Sequence, residues 1–110
     1  MFAIPATMHL IVTWLIIVIF AAGAIVNLVA PGSIRDEYKR WGYPAGFRFV
    51  TAALEFAAAI LMVIPSARSA GLILASLIML AAIATLVRAK EFPHAIPATI
   101  VLILIATVWR

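Results

Sequence analysis

Residues 47–64 read FRFVTAALEFAAAILMVI. A bilayer span needs about 20 predominantly apolar residues, and this run is close to that length. Glu55 nevertheless stands near its centre. Inserting an acidic side chain at a helix centre costs on the order of 3 kcal/mol. A carboxyl at that depth therefore needs either a partner or a function.

The rest of the chain is consistent with a bilayer setting. Of its 110 residues 67% are hydrophobic and only 11% are charged, where a soluble domain carries about a quarter charged residues. Mean hydropathy is +1.24. Four apolar runs set the expected spans at about 8–30, 45–64, 70–88 and 92–109, which predicts an all-α integral membrane four-helix up-down bundle. They use up nearly all of residues 1–110, so a single membrane domain is expected. Met8 to Ala30 has no Lys or Arg before it and reads as a retained span, although Ala21-Ala22-Gly23-Ala24 imitates a leader cleavage site.

Pro31-Gly32 ends the first run and Pro65 the second, where a lost amide and a ring clash oppose continuation. Ser66 to Ser69 then form a tight connection. The fourth run has Pro93 in its first turn and Pro97 one turn further in, and closes on Arg110. Small residues crowd the spans, among them Ala52, Ala57 to Ala59, Gly71, Ala75, Ala81 and Ala82. They let helix backbones approach closely where lipid supplies no hydrophobic drive.

The longest connection, PGSIRDEYKRWGYP at 31–44, carries structure of its own. Ser33 with Asp36 fits a capping box and Gly42 a helix stop, predicting a short helix at about 34–41. Ile34, Tyr38 and Trp41 share one face of it, while Arg35, Asp36, Lys39 and Arg40 take the other, the pattern of a helix lying in the headgroup layer. Arg35, Lys39, Arg40, Arg48, Arg88 and Lys90 fall on one side of the bundle, against Arg68 and Arg110 on the other. The positive-inside rule then places both termini outside the cytoplasm, in a multi-pass protein of the cell membrane.

Antiparallel helices give each polar residue a depth. On the first span His9, Thr13, Ile16, Phe20, Gly23 and Asn27 form one stripe. On the third, Arg88, Thr85, Ala84, Ala81 and Leu77 form a comparable face. Asn27, Arg48, Arg88, Glu91 and His94 gather at one mouth, with Thr51 and Glu55 below it. Glu55 is then either neutral and hydrogen-bonded or ionised against Arg48. Its candidate role is ligand binding, shared with Arg48, Asn27, Thr51, Arg88 and His94, under an aromatic lid of Tyr38, Trp41 and Tyr43. The bland alternatives are snorkelling for the arginines, a satisfied interfacial imidazole for His94, and hydroxyls returned to the preceding turn for Thr51 and Thr85.

Several classes of function are set aside. Cysteine is absent, which excludes disulfides, thiolate metal sites and dithiol relays. His9 and His94 lie at opposite ends, so a shared haem or metal is not expected. The net charge of +4 is spread singly rather than gathered in a nucleic-acid patch. No nucleophile–base pair or phosphate loop is present, so no catalytic residue and no enzyme activity of its own are expected.

Tyr38, the WGYP of Trp41 to Pro44, Leu54-Glu55, the AAAILMVIP ending at Pro65, Arg68, Gly71 and the HAIP of His94 to Pro97 together resemble the DoxX-like family of small four-span membrane proteins. The resemblance covers about residues 34–100. It implies a four-helix membrane bundle with the second-span Glu, here Glu55, as a family feature. Members are linked to a thiosulfate:quinone oxidoreductase, to a membrane complex against oxidative stress and, in an animal relative, to receptor assembly. This chain has Thr85-Leu86-Val87 where a common variant carries a histidine near the end of the third span.

The expected function is that of a non-catalytic subunit or binding protein for an apolar small molecule, a quinone or lipid, associated with membrane redox complexes. No other cofactor is evident. The expected partners are the lipid bilayer and a larger membrane complex or a homo-oligomer. One alternative is an assembly or chaperone-type interaction protein. Another is a small proton-coupled exporter, whose membrane carboxylate would ordinarily lie in the first span rather than the second.

Overall fold

The computed structural model describes residues 5–44 and 46–109. The expected second-span start at Ala45 and the closing Arg110 lie outside the described residues. Within them the chain is all-α: α1 (Ala6–Val29), α2 (Gly32–Arg40), α3 (Phe47–Val63), α4 (Arg68–Arg88) and α5 (Ala95–Val108), with 3-10 turns at Pro65–Ala67 and Phe92–His94. The helix α1 and the continuous stretch Pro65–Arg88 are each 24 residues, long and apolar enough to cross a membrane.

The four long helices pack in chain order around a ring, α1 on α3, α3 on α4, α4 on α5 and α5 back on α1. His9 near the start of α1 meets Val108 at the end of α5, while Asn27 near the end of α1 meets Arg48 at the start of α3. Neighbours therefore run in opposite senses. Ile16, Phe20, Met62, Ile105 and Val108 fill the centre together with Ala58 and Ala75. The outer surface is also apolar: Val18, Ile60, Leu77 and Ile96 are each 58–59% exposed. Apolar side chains stand outward on all four helices, which far exceeds the scattered exposed residues of a soluble monomer.

Several local expectations give way to the backbone. The helix α2 begins at Gly32 behind Pro31, with no side-chain cap, so Ser33 and Asp36 do not form a capping box. Proline at the helix entrance pre-sets its own φ and lacks the amide that a cap would satisfy. Gly42 does end α2, at φ +85, with Tyr43 N–H donating to Tyr38 O at 3.0 Å and Gly42 N–H to Lys39 O at 3.1 Å, a Schellman pair. The segment 66–69 is helical rather than a loop, because Pro65 starts a 3-10 turn that runs straight into α4. Pro97 cannot accept the role of an interior helical residue, so α5 starts at Ala95 and leaves Pro97 in the first turn.

The end of α4 repeats the Schellman pattern without glycine. Lys90 sits at φ 59, Lys90 N–H donates to Val87 O and Glu91 N–H to Leu86 O at 2.8 Å. The inward face of α4 is Gly71, Leu72, Ala75 and Thr85, whereas Leu77 and Ala84 of the expected face point outward. Leu77, Ala81, Ala84 and Arg88 share one helix face, and that face is exposed; Thr85, beside it, is the one residue of the expected row that is buried.

Helix backbones approach closely at Gly71, where an added Cβ would lie 2.7 Å from the Met62 backbone nitrogen and 3.0 Å from Ala58 O. Both obstacles are backbone or close to it, so α3 and α4 must separate to admit a methyl group. Gly71→Ala is expected to lower stability by about 1–3 kcal/mol, read as a lower melting temperature by circular dichroism in detergent. Gly32→Ala, with nothing within 4 Å, serves as the neutral comparison.

Candidate functional site

Glu55 is buried at the contact of α3 with α1, and the contact is made by small and amide side chains. Asn27 Nδ2 donates to Glu55 Oε1 at 2.7 Å and also to Gly23 O at 3.0 Å. The other carboxyl oxygen rests against Gly23, where a Cβ would collide with Glu55 Oε2. Tyr38 of α2 completes the series, its hydroxyl donating to Asn27 Oδ1 at 2.7 Å. One asparagine thus presents its two amide faces to α2 and α3, and its orientation is fixed by both.

The α1 stripe read from the sequence is the stripe used: Thr13, Ile16 and Phe20 are buried and Gly23 and Asn27 meet Glu55. Arg48 does not pair with Glu55. Its Nη1 donates to Leu28 O at 2.7 Å and Asn27 O at 3.2 Å, and the guanidinium lies over the Phe49 ring at 4.1 Å. Carbonyls at a helix end have no intrahelical partner, and the last turn of α1 attracts a cation more effectively than an occupied carboxyl would. Arg35 Nε donates to Ala30 O, Arg68 Nε to Met62 O and Arg88 Nη2 to Trp41 O, at 2.9, 2.7 and 3.0 Å. Each is spent on a carbonyl at or just past a helix end.

A cavity of about 170 Å³ opens between α3 and α4 beneath α2. Tyr38, Trp41 and Tyr43 lie at its rim, Phe47 stacks on Tyr43 at 4.5 Å, and Leu54, Ile78, Ala82 and Leu86 form apolar walls. Thr51 and Thr85 also face it, but their hydroxyls turn back to Phe47 O and Ala81 O. Tyr43 hydrogen-bonds to Thr85. Of the expected ligand-binding residues, Thr51 lines this cavity; Glu55, Asn27, Arg48, Arg88 and His94 do not. His94 is exposed in the 3-10 turn before α5. The expected lid residues Tyr38, Trp41 and Tyr43 all line it. The apolar walls carried no distinct sequence signal, since Leu and Ala there resemble those facing lipid.

The rim is clasped from the other side by Glu91. Arg40 Nη2 donates to Glu91 Oε1 at 2.8 Å and Nε to Oε2 at 3.1 Å, while Trp41 Nε1 donates to Oε2 at 2.9 Å. The fork of Arg40, with Trp41, holds the Glu91 carboxyl below the usual carboxylate range, and Glu91 in turn raises Arg40. Burial pushes the Tyr38 phenol up, an effect that the Thr51 hydroxyl partly offsets. Among the described residues no group of three or more His, Cys, Asp or Glu is placed to hold a metal ion.

Among known proteins, the sequence model described as the DoxX-like family matches residues 11–108. No curated protein and no solved structure matches the chain. The family and the apolar helices together indicate a membrane protein.

Two outcomes are expected from this geometry. Gly23→Ala should displace the Glu55 carboxyl and lower stability by about 1–3 kcal/mol. Adding Glu55→Asp, one methylene shorter, should recover part of that loss in a double-mutant thermal series. The Glu91 clasp contributes above the ordinary Glu value and is lost as pH falls through its depressed folded value. Tryptophan emission should therefore change on strong acidification in the wild type and stay flat across that range in Glu91→Gln.

Proposed function

The chain belongs to the DoxX-like family, and on that premise we propose that it is a four-span membrane protein that holds an apolar small molecule in the cavity beneath α2. The outward apolar faces of all four long helices support the four spans. So does the longest dimension of 41 Å, close to the roughly 40–45 Å of a bilayer with its headgroups. The arginines and lysines concentrated at the α2 end support a cytoplasmic mouth with both termini outside.

The cavity carries the functional reading. Engineered apolar cavities of about 150 Å³ stay dry and bind benzene, so a space of about 170 Å³ takes one ring or a few methylenes of a longer molecule. Its hydroxyls donate to protein acceptors rather than into the space. Recognition then rests on shape and on the aromatic rim, which suits the ring or prenyl tail of a quinone, or a lipid chain, more than a hydrogen-bonded polar head. In this reading Glu55 acts at one remove: through Asn27 it sets where Tyr38, and with it the rim, stands. The protein would serve a larger membrane redox complex as a binding subunit without catalysis of its own.

Ala82→Phe places a ring in the cavity while leaving Glu55, Asn27 and Tyr38 in place. Mass spectrometry of lipids and quinones that co-purify in mild detergent should find a bound apolar molecule in the wild type and about tenfold less in Ala82→Phe. Equal occupancy of the two proteins would overturn the proposal.

A further inference from the structure

The opposite end of the ring has a cavity of different chemistry. The start of α1, the turn into α4 and the end of α5 enclose about 320 Å³, walled by His9, Arg68, Ser69, Leu72 and Trp109 among others. Its surface is mostly polar, unlike that of the aromatic cavity. Arg68 donates from Nε to Met62 O at 2.7 Å, which fixes the guanidinium plane and leaves its two Nη groups without an acceptor among the described residues. His9 is held by a hydrogen bond from Nε2 to Val108 O at 2.9 Å. The four acidic residues of the chain are Asp36, Glu37, Glu55 and Glu91. They lie in α2, in the middle of α3 and after α4, so no Asp or Glu side chain reaches this end.

A fixed guanidinium facing a polar cavity with no carboxylate side chain calls for an anion, and its paired Nη donors match two oxygens of a phosphate. The rim identifies the rest of the molecule. Met8, Ile64 and Ile73, each next in sequence to a wall residue, are 44–50% exposed, and Trp109 is 42% exposed. Apolar surface thus begins where the polar cavity ends. We propose that this cavity binds the phosphate of an anionic phospholipid, with Arg68 as principal donor and the acyl chains lying on the adjoining apolar surface. The inference rests on the four-span reading for the bilayer alone and is independent of the aromatic cavity.

Ser69 is exposed and lines the cavity, and no side-chain bond of it holds the fold among the described residues. Ser69→Glu and Ser69→Lys therefore alter the charge of the site in opposite directions at similar size. Purified protein in detergent is offered dioleoylphosphatidylglycerol and dioleoylglycerol, and retention is read by native mass spectrometry. The wild type should retain the phospholipid over the uncharged lipid, Ser69→Glu should lower that retention about tenfold, and Ser69→Lys should raise it. Ala82→Phe should leave it unchanged, which separates this site from the other cavity. Equal retention of both lipids, or the same direction of change in both Ser69 variants, would refute the site. Full displacement of the phospholipid by millimolar inorganic phosphate would refute a lipid as its occupant.

Discussion

The hydrogen bond from Asn27 to Glu55 is the constraint from which the arrangement at the α2 end follows. A carboxyl buried between two apolar helices is tolerable only with a donor at hand, and the donor sits on α1, one turn beyond the glycine that gives the carboxyl room. That pairing sets the rotation of α1 against α3. The far side of the same amide accepts from Tyr38, so the placement of α2 over the α3–α4 cavity is tied to a contact made by a different helix pair.

The basic residues obey a related rule. The last carbonyls of a helix have no intrahelical partner and take a donor from water or from a side chain. Arg48 serves the end of α1, Arg68 the end of α3, and Arg88 the carbonyl of Trp41 that closes α2. Left-handed residues do the rest, with Ala30 at φ 46 and Lys90 at φ 59 turning the chain back on its own last turn. Since the left-handed conformation costs a non-glycine residue about 1–2 kcal/mol, Lys90 is held there by its surroundings. The reversal it makes delivers Glu91 to Arg40 and Trp41.

Much of this was legible in the sequence, and the illegible part has a common cause. Helix order, the inward stripe of α1, the aromatic face of α2 and its glycine stop follow from periodicity and local turn chemistry, which act within a few residues. The identity of Glu55's partner does not, because Arg48 on the same helix and Asn27 on another are equally plausible by depth, and the choice depends on the competing demand of the α1 carbonyls. The same holds for the cavity. Its walls are leucine, isoleucine and alanine in a chain full of them, and only the three-dimensional gap between α3 and α4 distinguishes Leu54 or Ala82 from a neighbour that faces lipid.

The composition of the helix interfaces bears on how such a chain holds together. Ala24, Ala52, Ala58, Ala59, Ala75 and Gly71 are all buried at the helix interfaces, and none has a side-chain torsion to freeze. Ordering a Met or Gln side chain costs up to about 1.5–2 kcal/mol in rotamer freedom, whereas Ala and Gly lose nothing of that kind. Lipid returns no hydrophobic free energy when two helices meet, so an interface that must restrict rotamers begins at a deficit. Alanine and glycine avoid the deficit, and the dispersion attraction between closely approaching backbones is kept almost undiminished. The rotamer cost of packing then falls on the few long side chains at the centre, Ile16, Phe20, Met62 and Ile105, while many others face outward and keep their freedom.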